Sequence, residues 1–216
     1  MDASGNPELR LVGGHPALDL VNTVAPRRPD DADRHEYLAG PDELIAWAER
    51  AGIVDATEAD AVARAWRGAP DGAEQALRAA VDVREATYRV LLARQGVPGA
   101  PQPEPALERL ALRWAAAAAR SELLLDPTGA GAVRLRVGTA PALLVPDRLA
   151  YAAVELLRTV DLGRLRTCPL DEGGCGWLFL DSSRNGSRRW CAMADCGAHA
   201  KARRLTARRR AARLPA

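Results

Sequence analysis

Apolar residues recur at helical spacing through most of the first 160 positions. Leu44, Ile45, Trp47 and Ala48 give one apolar side to a helix predicted from about Pro41 to Ala51, with Pro41 suited to a first turn and Gly52 to the end. Residues 57–67 predict another short helix. Gly72 to Gln95 predict a long one, in which Leu77, Val81, Tyr88 and Leu92 share a face. Val97 to Pro105 is a proline-rich linker, after which Pro105 to Ser121 returns to helix. Glu122–Leu125 and Ala132–Val137 are short, alternating runs separated by Asp-Pro-Thr-Gly-Ala-Gly, the pattern of a β-hairpin. Pro146 to Val160 is helical again, with Leu149, Ala153, Leu156 and Leu157 on one side.

At the start of the chain, Leu9, Leu11 and Val12 predict a short strand ending in a Gly13-Gly14 turn, followed by a helical segment carrying Leu18, Leu20 and Val21. Ala25 to Arg34 predicts a surface loop. Near the other end, Gly176 to Leu180 predicts a strand, Ser182 to Arg189 a polar loop, and a helix begins at about Arg189. The expected fold is α+β and mainly helical. A helical domain with a small β-hairpin occupies residues 1–160, and a small metal-bound β-hairpin plus helix module occupies residues 161–216.

Charge sharpens this division. Residues 161–216 hold 12 Lys+Arg against 5 Asp+Glu, whereas residues 1–160 hold 18 against 23. A basic end on an otherwise acidic chain points to a polyanionic partner, nucleic acid above all. Arg184, Arg188, Arg189, Lys201, Arg203, Arg204 and Arg208 are the candidate contacts, to the phosphates of double-stranded DNA or to base edges. No apolar run reaches the roughly 18 residues of a membrane span. The first residues lack an export-signal layout, so the expected location is the cytoplasm, with no membrane partner.

The four cysteines fall in that basic end. Six residues separate Cys168 from Cys175, four separate Cys191 from Cys196, and fifteen lie between the pairs. Two close pairs across a spacer suit a tetrahedral zinc ion, each pair gripping the metal from one local turn. Two disulfides would need an oxidising compartment. An iron–sulfur cluster uses the same ligands but in tighter runs. A catalytic zinc keeps one position open, which four thiolates would close. Structural Zn2+ is therefore the reading, with Trp177, Phe179 and Trp190 as a small apolar cluster beside it.

The stretch Cys175-Gly-Trp-Leu-Phe-Leu-Asp-Ser-Ser-Arg-Asn-Gly-Ser-Arg-Arg-Trp-Cys-Ala-Met-Ala-Asp-Cys-Gly197 strongly resembles the CGNR zinc-finger family of bacterial proteins. Gly14-His-Pro-Ala-Leu-Asp-Leu-Val-Asn-Thr23 resembles the opening of the ABATE domain that usually precedes this finger. Such proteins are described as stress-induced transcription regulators, so the resemblance implies DNA binding and a helical sensor domain. One departure stands out: the family's Cys-Gly-Asn-Arg is here Cys196-Gly197-Ala198-His199, without the amide and the guanidinium. Weaker sequence discrimination follows from that loss.

In the first helical segment, His15, Asp19, Asn22 and Thr23 are candidates to line a small-molecule effector site; the competing expectation is structural bonding to nearby backbone. No nucleophile–base pair stands at readable spacing, so nothing here makes a positive case for an enzyme. The alternative to a regulator is a small-molecule-binding or biosynthetic protein that keeps the zinc module as a scaffold. Homodimerisation is compatible with either.

Overall fold

Proline, glycine and acidic residues set most helix starts in the computed structural model, which describes residues 9–27 and 34–211, excepting the side chains of residues 208, 210 and 211. The described residues fall into two compact units, one Leu38–Leu162 and the other Met1–Tyr37 joined with Gly163–Ala216.

The continuous unit is built from five helices and a hairpin. Helix α2 (Pro41–Arg50) has Pro41 in its first turn with Asp42 and Glu43, and Arg50 in its last, charges that oppose the helix dipole. Helix α3 (Ala56–Gly68) opens on a reciprocal cap: Asp55 Oδ1 accepts from the Glu58 N–H at 2.8 Å, and Glu58 Oε2 accepts from the Asp55 N–H at 3.1 Å. Helix α4 (Pro70–Arg94) is the longest, and it packs with α5 (Glu104–Ala118) and α6 (Leu144–Thr159) around Ala76, Ala80, Val83, Leu91, Leu110, Leu149 and Leu156. With so few aromatics in the chain, buried alanines bring these helix axes close together. Between α5 and α6, Glu122–Leu125 (β3) pairs antiparallel with Val133–Arg136 (β4), as the alternating pattern predicts. Two ion pairs tie the unit together: Arg148 to Glu58 at 2.5 and 2.6 Å, and Arg120 to Asp147 at 2.5 and 2.8 Å. The first holds the Glu58 carboxyl below its usual range, chiefly through the Arg148 hydrogen bond.

The other unit is made from both ends of the chain. Helix α1 (Pro16–Val21) starts on His15, whose Nδ1 accepts from the Ala17 N–H at 3.2 Å. Val24–Ala25 (β1) pairs antiparallel with His35–Glu36 (β2), a contact across the predicted surface loop. Leu165–Thr167 (β5) and Leu178–Leu180 (β6) form the antiparallel hairpin of the C-terminal module. A single π turn, Met193–Gly197, leads into helix α7 (Ala198–Ala211).

Two local expectations give way here. Leu9 to Val12 form no strand. Only the Gly13 carbonyl reaches β6, accepting from the Leu180 N–H at 2.8 Å, and the chain turns at once into α1. A Cβ on Gly13 would stand 2.7 Å from the Leu18 Cβ, so this approach needs glycine. The final helix begins at Ala198 rather than near Arg189, because the intervening residues serve the cysteines. Trp190 is buried, Cys191 and Cys196 must face one point, and the Arg188 guanidinium donates to the carbonyls of Trp190 and Cys191.

Candidate metal centre

Each cysteine is placed by a different local device. Cys168 follows β5, and its N–H donates to the Trp177 carbonyl at 2.8 Å. Cys175 sits in the turn before β6, closed by Gly174 N–H to the Pro169 carbonyl at 2.8 Å and Gly176 N–H to the Cys168 carbonyl at 3.1 Å. Cys191 follows the loop after β6, and Cys196 lies in the π turn. The four Sγ atoms gather within 4.8 Å of one another, three of them on buried residues. Cys175 and Cys191 stand 3.4 Å apart, Cys191 and Cys196 3.6 Å. A tetrahedral zinc with bonds of about 2.3 Å separates its sulfurs by roughly 3.8 Å, so the donor set and spacing fit that ion. Disulfides would bring pairs to about 2.05 Å, and all four cysteines are free thiols. Crowding splits their acidities. Hydrogen bonding with the Cys175 thiol drives Cys168 far below the ordinary thiol range, and the same contact pushes Cys175 far above it. All four can be thiolates together only with a cation to share.

The apolar wall is the expected one: Trp177, Phe179 and Trp190 are all buried. The Trp177 indole N–H donates to the Val24 carbonyl at 2.8 Å.

The opening segment completes the module. All three residues of β6 stand in register with β5, but the backbone N–H groups of Leu178 and Leu180 face the opposite edge. There Asn22 stands in for a neighbouring strand. Its Oδ1 accepts from the Leu178 N–H at 2.9 Å, and its Nδ2 donates to the Leu178 carbonyl at 2.8 Å. Arg27 N–H donates to the Cys175 carbonyl at 2.8 Å, which fixes the first metal turn. The other polar candidates of α1 also meet backbone. Asp19 Oδ1 accepts from the Gly13 N–H at 2.8 Å, with its carboxyl pushed up by burial, and Thr23 Oγ1 donates to the Leu20 carbonyl at 2.8 Å.

The basic residues divide by direction. Arg184 is exposed in the loop that buried Asp181 organises, its two oxygens accepting from Ser183 N–H and Arg188 N–H, each at 2.9 Å. Arg188 points inward: its guanidinium lies 4.3 Å from the Phe179 ring centre and also donates to the Val12 carbonyl at 3.2 Å. Arg189 and Arg204 both pair with Glu172. On α7, Lys201, Arg203, Arg204 and Arg209 are exposed. Arg208 lies on the same helix, with its side chain outside the described residues. His199 is exposed and is not part of the thiol cluster.

Comparison with family models resolves what kind of module this is. Residues 14–160 match the ABATE family, described as "Putative stress-induced transcription regulator", and residues 164–209 match the CGNR zinc finger. The chain belongs to the ABATE family. No curated protein matches it. In this ABATE protein the finger's four cysteines form a cluster able to hold a metal ion, and Ala198 and His199 replace the asparagine and arginine that give the finger its name. Among the described residues, no helix is long and apolar enough to cross a membrane.

Proposed function

We propose that this protein is a DNA-binding transcription regulator whose C-terminal module is stapled by one structural zinc ion. A single observation carries the reading. The turn that supplies the ligand Cys196 runs directly into α7, so the metal centre anchors a helix whose Lys201, Arg203, Arg204 and Arg209 all face solvent. Arg184 adds a further cation from the loop before the third ligand. A rigidly rooted row of cations suits a phosphate backbone, where each neutralised phosphate releases counterions. The helical unit Leu38–Leu162 takes the sensor role in this reading. Its open cavity of about 430 Å³, lined by Arg134, Arg136, Tyr151 and the Arg148–Glu58 ion pair, suits a small polar effector.

The test is a duplex DNA titration by fluorescence anisotropy at several salt concentrations. Four phosphate contacts give log K against log[salt] a slope of about −3 to −4. Replacing Lys201 and Arg204 together by alanine flattens that slope by roughly two units and weakens binding to all sequences alike. Restoring Ala198→Asn and His199→Arg raises affinity.

A second reading rests on a cavity of about 350 Å³ beside the thiols, lined by Arg10, Tyr37, Trp177, Asp195 and His199. There the module would be a scaffold for a small-molecule site. A protein that retains no duplex DNA at low salt refutes the regulator and leaves this one.

A further inference from the structure

Two arginines of the basic module converge on one carboxylate, and a third packs beside it. Glu172, in the turn between the first two ligands, pairs through Oε1 with Arg189 and through Oε2 with Arg204 Nη2 at 3.7 Å. Arg203 comes from the preceding position of α7 and packs against Gly173, so closely that a Cβ there would clash with its guanidinium. Together with Asp171, Ala200 and Ala207, these residues line an open cleft of about 410 Å³. The cleft joins the metal turn, the loop before Cys191 and the basic helix.

Its chemistry is that of an anion site already holding an anion. A carboxylate presents two oxygens to two guanidinium forks as a backbone phosphodiester does, with the same single negative charge. Glu172 is about three-quarters buried, its side chain 27% exposed, while the arginines around it are more than half exposed. The carboxylate therefore sits at the floor with the guanidinium groups around it. Asp171 lines the same cleft, but no ion pair links it to these arginines.

We propose that Arg189, Arg203 and Arg204 form a phosphate-binding cleft that Glu172 occupies as an internal competitor, so that the nucleic acid must displace the carboxylate to engage it. The inference rests on the DNA-binding reading above and adds a residue that restrains it. Exposed ion pairs are weak, which makes the restraint modest and easily displaced by a polyanion. Freeing the arginines adds counterion release on binding, so the restraint also lowers the salt dependence.

The experiment compares full-length, zinc-loaded wild type with Glu172→Gln, Asp171→Asn, Arg204→Ala and the Glu172→Gln/Arg204→Ala double variant. The probe is a labelled duplex of about 20 base pairs, titrated at low and moderate salt. Zinc content and circular dichroism establish that each variant is folded. Glu172→Gln is expected to bind about 3- to 10-fold tighter than wild type, with a slope steeper by about one unit. Asp171→Asn, which makes the same change in net charge, gains less than about twofold, and the Glu172→Gln gain shrinks when Arg204 is alanine, leaving the part that comes from Arg189. Equal gains in Glu172→Gln and Asp171→Asn, a gain undiminished by Arg204→Ala, or no gain at all would overturn the competitor while leaving DNA binding intact. If no variant binds DNA at low salt, the cleft and the regulator reading both fail.

Discussion

Asn22→Ala tests whether the opening segment is part of the metal module. The substitution removes two hydrogen bonds, Leu178 N–H to Oδ1 at 2.9 Å and Nδ2 to the Leu178 carbonyl at 2.8 Å. Asn22 is fully buried, as is Leu178, so little water replaces the lost partners. Each orphaned buried group costs about 1–3 kcal/mol, and partial relaxation puts the total near 2–4 kcal/mol. Because the ligand site exists only in the folded module, that loss appears in metal affinity, which should fall roughly 30- to 700-fold. Competition with a chromophoric zinc chelator measures it, and urea unfolding followed by tryptophan fluorescence gives the stability change independently. Asn22→Asp separates the two bonds, keeping the acceptor but turning a charge toward the Leu178 carbonyl. A zinc affinity within about threefold of wild type, with stability changed by less than about 0.5 kcal/mol, would show that β6 does not depend on this amide.

Purified protein should contain one zinc per chain, and Cys175→Ser should lose it and unfold the hairpin of β5 and β6; metal analysis by mass spectrometry decides this. The Asp181 carboxyl is held below its usual range by the Ser183 hydroxyl and the N–H groups of Ser183 and Arg188. Its contribution is complete above the unfolded carboxylate value of about 4 and is lost as pH falls through the lower folded value, so stability should hold from pH 7 to 5. Comparing acid unfolding of wild type and Asp181→Asn isolates that contribution from acid loss of the metal. In the helical unit, Trp66 donates its indole N–H to the Ala142 carbonyl at 2.9 Å, whereas the buried Trp47 N–H has no partner among the described residues. Thermal unfolding should therefore show Trp66→Phe costing about 1–2 kcal/mol more than Trp47→Phe; equal costs would contradict the hydrogen-bond assignment.

Features written in local pattern could be read directly. Leu44, Trp47 and Ala48 recur with the helical period because one face of α2 is buried. The hairpin at 122–136 announces itself by alternation on either side of a glycine-containing loop. The cysteine spacing pointed to one cluster because a tetrahedral site needs two local grips. Features that depend on distant partners could not be read. Asn22 meets Leu178 across 156 positions, and nothing near either residue signals the pairing. Asn22 follows the six-residue helix α1 as its C-cap, a position that carries no mark of a distant partner. Arg184 and Arg188 belong to the same polar run, yet one faces solvent and the other donates inward, because Asp181 fixes the loop between them. Helix α7 starts at Ala198 for a similar reason: helical propensity around Arg189 yields to two cysteines and a buried tryptophan.

A module closed by Asn22 on Leu178 has an unusual birth order. Its first piece leaves the ribosome 156 residues before its partner strand, an interval of roughly 8–30 s at ordinary elongation rates. Throughout that time Leu18, Leu20 and Val21, which end fully buried, have no finished surface to pack against. Over that interval the nascent chain offers holdase chaperones an apolar handle. Metal loading through all four thiols must wait until Cys196 has emerged.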